Sequence, residues 1–284
     1  MAVHDLSYAP WSGTPDSRWA AVRAIVGMEL LRPFRSLWVR LVVIGAFMIT
    51  GGWLLLLFFA ASQQELPTML AGNRIYRDGF LNLTLFSMVL LGLSATVGCP
   101  IISRDLRHNA LTLYFSRSIT RTDYLLGKFV ALLLFLLFST LGPALLLWAG
   151  QAGIGTERLT ATQRFADLGS LVLHSLALTV PLAAVTLGFS TAAKRGYVAA
   201  LLWASVYFGG EAAASVLGGL LRDTWPQLLS WRLLTTHLGD LCWRGAKPRI
   251  LDCGWGPPLA ILGIASALAL LLAWTRLRSV EAGE

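Results

Sequence analysis

Six long apolar stretches, separated by polar segments, dominate the chain of 284 residues. A transmembrane helix needs about 20 apolar residues, because each residue advances the helix by only about 1.5 Å. The pattern predicts six spans: Leu41–Ala61, Phe80–Ile102, Tyr124–Ala149, Leu168–Ala192, Tyr197–Leu221 and Pro257–Thr275. Backbone groups inside lipid must be hydrogen-bonded within their own segment. We therefore expect an all-α polytopic membrane protein.

Composition supports the same class. Hydrophobic residues make up 56% of the chain and charged residues 13%, whereas soluble domains carry about 25% charged residues. The net charge of +8 is compatible with nucleic-acid binding only if the basic residues gather on one soluble surface. Here they alternate with apolar spans, so we expect no nucleic-acid partner.

The distribution of Lys and Arg predicts the orientation. The larger basic set lies close to span ends on one side: Arg18, Arg23, Arg32, Arg35, Arg40, Arg104, Arg107, Arg117, Arg121, Lys128, Lys194, Arg195, Arg276 and Arg278. The positive-inside rule makes that side cytoplasmic. We expect a cytoplasmic segment 1–40 with an interfacial helix, a transmembrane domain 41–275 and a cytoplasmic tail 276–284. The first forty residues lack the apolar core of a cleaved signal peptide.

The largest predicted cytoplasmic loop reads RDLRHNALTLYFSRSITRTDYLLGKF, Arg104–Phe129. Apolar residues recur at helical spacing from Ser103 to Phe115, which predicts a short amphipathic helix. Thr120 is expected to cap the third span, with Asp123 three residues later near the positive end of the helix dipole. A solvated basic loop that simply obeys the positive-inside rule is the alternative.

This loop resembles that of type-two ABC transporter permeases over about 30 residues. The resemblance rests on Ala110–Leu113, on SRSITR from Ser116 to Arg121, and on LLGK from Leu125 to Lys128. Asn109-Ala110 stands where the family usually has Gly, and Ser118 where it has Pro. In that family the loop is a coupling helix that docks on the ATPase subunit. The implied contact residues are Arg104, Asp105, Arg107, His108, Leu111, Leu113, Tyr114, Arg117 and Arg121.

A second amphipathic segment precedes the first span. In SRWAAVRAIVGMELLRPFRSLW, one helical face carries Trp19, Val22, Ile25 and Val26. We expect this helix to lie in the membrane interface with that face against lipid. The part from Met28 to Trp38 resembles the elbow helix of the same permease family.

The chain has no G-x-x-x-x-G-K-[ST] motif for nucleotide phosphates and no H-E-x-x-H motif for zinc. We expect no cofactor, metal or catalytic residue in this chain. The resemblance implies a permease of a bacterial inner-membrane ABC exporter, with ATP and Mg²⁺ bound by two separate ATPase subunits. A second permease copy or a related subunit would complete the pathway. Lipid, peptide, antibiotic and an indirect mechanical role all fit as the transported substrate or task.

Two other functions remain compatible with the sequence. Ser94 and His174 could form the nucleophile and base of an intramembrane serine hydrolase, although small residues in membrane helices usually serve close packing. A non-enzymatic scaffold could use the same loop to recruit a soluble partner. A neighbouring gene for an ATPase would distinguish both from the permease.

Features on the predicted outer side stay open between several interpretations. Glu211 interrupts the fifth span, so it lines the translocation path, or is protonated and bonded to Ser205, Ser215 or a backbone carbonyl, or lies near the outer headgroups at an early helix end. The semi-apolar loop Arg222–Gly256 carries Cys242 and Cys253, for which a disulfide and two free thiols are both compatible. In the resembled family, short re-entrant helices occupy this position.

Overall fold

A computed structural model describes residues 18–62, 74–115, 119–154, 160–243 and 253–281. Within these ranges the chain is helical and contains no β-strand. Six helices are long and apolar enough to cross a membrane: Leu37–Ser62, Thr84–Arg107, Arg121–Ile154, Ala161–Ala192, Gly196–Leu221 and Gly256–Arg278. The predicted fold class and the six spans are confirmed, and the chain is a multi-pass membrane protein.

The α-helices are numbered along the chain: α1 (Arg18–Leu31), α2 (Leu37–Ser62), α3 (Thr84–Leu93), α4 (Pro100–Arg107), α5 (Ala110–Phe115), α6 (Arg121–Ile154), α7 (Ala161–Ala192), α8 (Gly196–Leu221), α9 (Trp231–Leu241) and α10 (Gly256–Glu281). The second span consists of α3, a π-helical turn at Ser94–Gly98, and α4. The spans alternate in direction, so α1 and α5 share one end of the bundle, here called the loop end. α9 lies at the opposite end, here called the α9 end.

The second span begins four residues later than predicted. Phe80 belongs to a separate π-helix, Ile75–Leu81, and α3 starts at Thr84 after a break at Asn82 and Leu83. The apolar run in the sequence does not show this break. Phe80 and Leu81 extend the run because they are apolar, but they are buried in the protein rather than exposed to lipid. The third span is longer than predicted at both ends.

α7 is the central helix of the bundle. It is the most buried of the six spans and packs against α6, α8, α9 and α10. Its N-terminus carries a capping box, in which Thr160 and Gln163 bond each other's backbone amides. α8 and α10 are among the least buried spans, which leaves broad apolar faces for lipid or a partner chain.

The N-terminal helix packs differently from the prediction. Val22 and Ile25 are buried against α6 rather than turned toward lipid, while Trp19 stays 65% exposed. Gly127 makes this contact possible, since a Cβ there would lie 2.9 Å from Ile25 Cγ2. The expectation that this face meets lipid is therefore wrong for Val22 and Ile25, because α1 packs against α6, where Gly127 leaves room for Ile25.

Candidate functional site

The predicted contact loop is two helices rather than one. α4 ends at Arg107, and Asn109 adopts the left-handed conformation with φ 50°, after which α5 begins. Asn is one of the few residues that tolerate this conformation, so it turns the chain at the place where the family usually has Gly. The predicted continuous helix from Ser103 to Phe115 is corrected accordingly.

The structure distributes the predicted contact residues over surface and interior. Arg107 and His108 are exposed, whereas Asp105 and Leu111 are buried within the chain. The others that can be described are partly buried: Arg104, Tyr114 and Arg121. Arg117 and the Leu113 side chain lie outside the described residues. Among the predicted contact residues that the structure describes, Arg107 and His108 are the exposed ones.

Thr120 caps α6 as predicted. The Asp123 amide donates to Thr120 Oγ1 at 3.3 Å, and the Thr120 amide donates to Asp123 Oδ2 at 3.4 Å. The pair is a capping box with Asp in the position where Glu or Gln is usual. It fixes where the loop ends and the third span starts.

A buried ion cluster joins three elements at the loop end. Lys128 Nζ of α6 lies 2.7 Å from Glu29 Oε1 of α1 and 2.6 Å from Asp105 Oδ2 of α4. It also donates to the Ile101 carbonyl at 3.2 Å. The Tyr124 hydroxyl donates to the same Asp105 oxygen at 2.7 Å. We call Glu29, Asp105, Tyr124 and Lys128 the lysine cluster.

The lysine cluster is held away from water. Lys128 is fully buried, and Glu29 and Asp105 are each less than a tenth exposed. Arg32 and Arg104 add positive charge at 3.4 and 3.6 Å from the two Glu29 oxygens. Two carboxylates and three cations thus form a nearly balanced group. Such a group stabilises one arrangement of its helices, because separating any partner leaves a buried charge.

Sequence reasoning overlooked Lys128 and Glu29 as members of one site. The signal was present, since Lys128 falls inside the predicted third span, and a charge within a span usually has a named partner. The partners lie 99 and 23 residues away along the chain. No local pattern connects residues at those separations.

Ser94 and His174 each bond to other residues. Ser94 Oγ donates to the Leu91 carbonyl at 2.8 Å and accepts from Trp203 Nε1 at 3.0 Å. His174 Nδ1 accepts from Trp243 Nε1 at 2.9 Å. Both side chains are described, and no hydrogen bond joins them. This geometry gives the hydrolase alternative no nucleophile paired with a base.

Glu211 binds the short helix at the opposite end. Its carboxylate accepts hydrogen bonds from Ser230 and from both Nε and Nη2 of Arg232, with Nε at 3.1 Å. Ser230 is also the N-cap of α9, since its Oγ accepts from the Leu233 amide. The neighbouring Gly210 allows the close approach, because a Cβ there would lie 2.5 Å from the Leu229 carbonyl. Glu211 therefore anchors α9 on α8.

A cleft of about 340 Å³ lies beside this anchor. Its polar lining includes Glu211, Ser215, Asp223, Gln227 and Arg232. Glu211 and Arg232 are already paired with each other, whereas Asp223 adds a further carboxylate to the lining. A role for Glu211 in a translocation path stays a prediction.

α9 is also bound to the segment before the second span. Arg77 donates to both oxygens of Asp78, at 2.8 and 3.1 Å, and lies 3.6 Å from Asp240 of α9. The hydrogen bonds to Asp78 raise the pKa of Arg77 despite the opposing effect of burial. Asn82 Nδ2 donates to Asp240 at 2.8 Å. These contacts hold α9 over the end of the bundle.

Cys242 and Cys253 are free thiols in the structure. Cys242 Sγ donates to the Leu238 carbonyl, and Cys253 Sγ lies 3.6 Å from His237 Nε2. Burial raises the pKa of the Cys242 thiol to about 11, and the charge of Asp240 acts in the same direction. Of the two interpretations left open by the sequence, the structure has the free thiols.

Comparison with known proteins adds no relative: no protein-family model matches the chain, and a search of curated proteins finds no match. No group of three or more His, Cys, Asp or Glu side chains in the described ranges could hold a metal ion. The three charged sites, the lysine cluster, the Glu211–Arg232 pair and the contacts of Arg77 with Asp78 and Asp240, have the chemistry of connections between helical segments. At the loop end the connection includes Asp105, which lies just before the exposed turn at Arg107 and His108.

Proposed function

We propose that the chain is the membrane-spanning permease subunit of an ATP-driven ABC exporter, with ATP hydrolysis in a separate ATPase subunit. Two permease chains, identical or related, would form the pathway in a bacterial inner membrane. Both chain termini would be cytoplasmic, as the Lys and Arg distribution predicts.

One observation carries this proposal: an exposed turn that is rigidly connected to three membrane elements. Arg107 and His108 project at the end of α4, next to α5. Asp105, two residues before Arg107, is bound to Lys128 of α6, which is bound to Glu29 of α1. A soluble partner that pushed on this turn would move α4, α6 and α1 together. Such a connection is what an ATP-driven subunit needs to transmit its motion.

The contact is tested by charge reversal on the exposed turn. Arg107→Glu combined with His108→Glu should reduce the ATPase recovered with the tagged chain by about tenfold, because the charge complementarity of the interface is reversed. Arg278→Glu is the matched control, since Arg278 is also exposed and lies at the same end. These residues are preferable to Tyr114, whose ring packs against Tyr124 at 5.2 Å.

Equal recovery of the ATPase with the double variant and with the control would contradict the proposed contact. Loss of a bound protein that neither binds nor hydrolyses ATP would instead support the scaffold alternative. The ATPase activity of each recovered complex separates these outcomes.

A further inference from the structure

The second span is interrupted near its middle. α3 ends at Leu93, the π-helical turn follows, and Pro100 begins α4. The Cys99 amide donates to the Ser94 carbonyl at 3.0 Å, five residues earlier, as a π turn requires. Pro100 has no amide hydrogen to continue the ladder. Helices bend at such places, so the two halves of this span are separable segments.

The half of the span at the loop end, α4, is hydrogen-bonded to a neighbouring helix. The amides of Ile102 and Ser103, in the first turn of α4, donate to Ser190 Oγ at 2.9 and 3.1 Å. Ser190 lies on α7 and is fully buried. Ile102 is the third residue of α4, and its amide lies where amides are short of an acceptor in their own helix. Ser190 therefore acts as an N-cap supplied by another span.

The π turn itself is held by a different helix. Trp203 of α8 donates from Nε1 to Ser94 Oγ at 3.0 Å, and both side chains are fully buried. Hydrogen bonds thus connect the turn to α8 and the segment after it to α7, while both parts also pack against both helices. The hydrogen bond to Trp203 is made at the π turn, and the hydrogen bonds to Ser190 are made after it, in α4.

We propose that the second span moves as two segments joined at the π turn, and that Ser190 makes α4 move together with α7. α4 carries Asp105 of the lysine cluster and ends at the exposed turn. A displacement of that turn therefore reaches α7, the central helix, through the Ser190 hydroxyl and through the packing of α4 on α7. The inference concerns motion within the chain and holds whether or not the soluble partner is an ATPase.

Amide hydrogen exchange on the full chain in lipid nanodiscs tests the Ser190 cap. Ser190→Ala should speed exchange at the Ile102 and Ser103 amides by about tenfold, because both lose an acceptor. Ser175→Ala is the matched control. Ser175 is also on α7 and fully buried, but its hydroxyl has no hydrogen-bond partner among the described residues. Equal changes in the two variants, or no change in Ser190→Ala, would overturn the proposal.

Spin-label distances test the two segments without altering Ser190. Labels at Arg107 and Ala192 report on α4 relative to α7, and labels at Arg107 and Leu85 report across the π turn; all three positions are exposed. Cys242 and Cys253 are replaced by alanine, and the buried Cys99 is kept. We expect a narrow distribution for the first pair and a broader one for the second. Equal widths, or a broader first distribution, would refute the proposal.

Discussion

Lys128 places a positive charge between the carboxylates of Glu29 and Asp105, in a site without water contact. Lys128→Met keeps the length of the side chain and removes the charge. Two carboxylates would then lose their nearest cation, which for a buried ion pair costs about 3–5 kcal/mol. We expect that loss in the free energy of unfolding measured in detergent micelles.

A neutral version of the same site provides the control. In Lys128→Met combined with Glu29→Gln and Asp105→Asn, no buried carboxylate remains without a cation. This variant should recover part of the stability lost in the single variant. A triple variant no more stable than Lys128→Met would show that packing, rather than charge pairing, determines the effect.

Cys242 gives a prediction about pH. Burial disfavours the charged thiolate and raises the pKa of this thiol to about 11, so at neutral pH almost all of it is protonated. Because only the thiolate reacts, alkylation should speed up by about tenfold per pH unit between about pH 7 and 9. A cysteine at the exposed Thr224 should react faster and level off near its ordinary pKa of about 8.5. Cys253 is replaced by alanine in both samples. A plateau for Cys242 in that range would contradict the assigned environment.

At the scale of elements, the attachment of α9 depends on Glu211. Glu211→Leu removes the acceptor of Ser230 and Arg232, whereas Glu211→Gln keeps one carbonyl oxygen. Because a hydrogen bond to a charged group is worth about 1.5–3 kcal/mol, hydrogen exchange in 225–241 should rise by about tenfold or more in Glu211→Leu. Glu211→Gln should give a smaller rise. Ser205→Ala, an exposed position on the same helix, is the control. Exchange equal to that of the control would mean that other contacts hold α9.

The elements also show where sequence patterns stop being informative. The length of the apolar stretches identified the spans, and the Thr120 cap followed from residue types three positions apart. The π turn at Ser94–Gly98 could not be predicted, because its residues are as apolar and as small as those of an ordinary packed helix. Its form depends on partners such as Ser190 and Trp203, which belong to other spans.

At the scale of the whole molecule, six spans were predictable because lipid requires long apolar helices. The lysine cluster was not, because its members come from three segments, and only the packing of α1 and α4 around Lys128 of α6 brings them together. The same packing explains why Val22 and Ile25 face the protein. Apolar residues along one face of a helix do not show whether lipid or protein covers that face.

The predicted orientation is tested with introduced cysteines. Thr224 and Lys194 are both exposed and lie at opposite ends of the bundle. With Cys242 and Cys253 replaced, an impermeant thiol reagent on intact cells should label Thr224→Cys and should label Lys194→Cys only after permeabilisation. The reverse pattern would place both termini outside the cytoplasm.

The composition and ATPase activity of the native complex test the proposed function most directly. The tagged chain is purified from its own host in mild detergent, and the complex is weighed by native mass spectrometry. We predict two permease chains with two ATP-binding chains, and ATP hydrolysis by this complex but not by the purified permease alone. A chain that purifies from such cells without any ATP-binding subunit would contradict an ATP-driven permease.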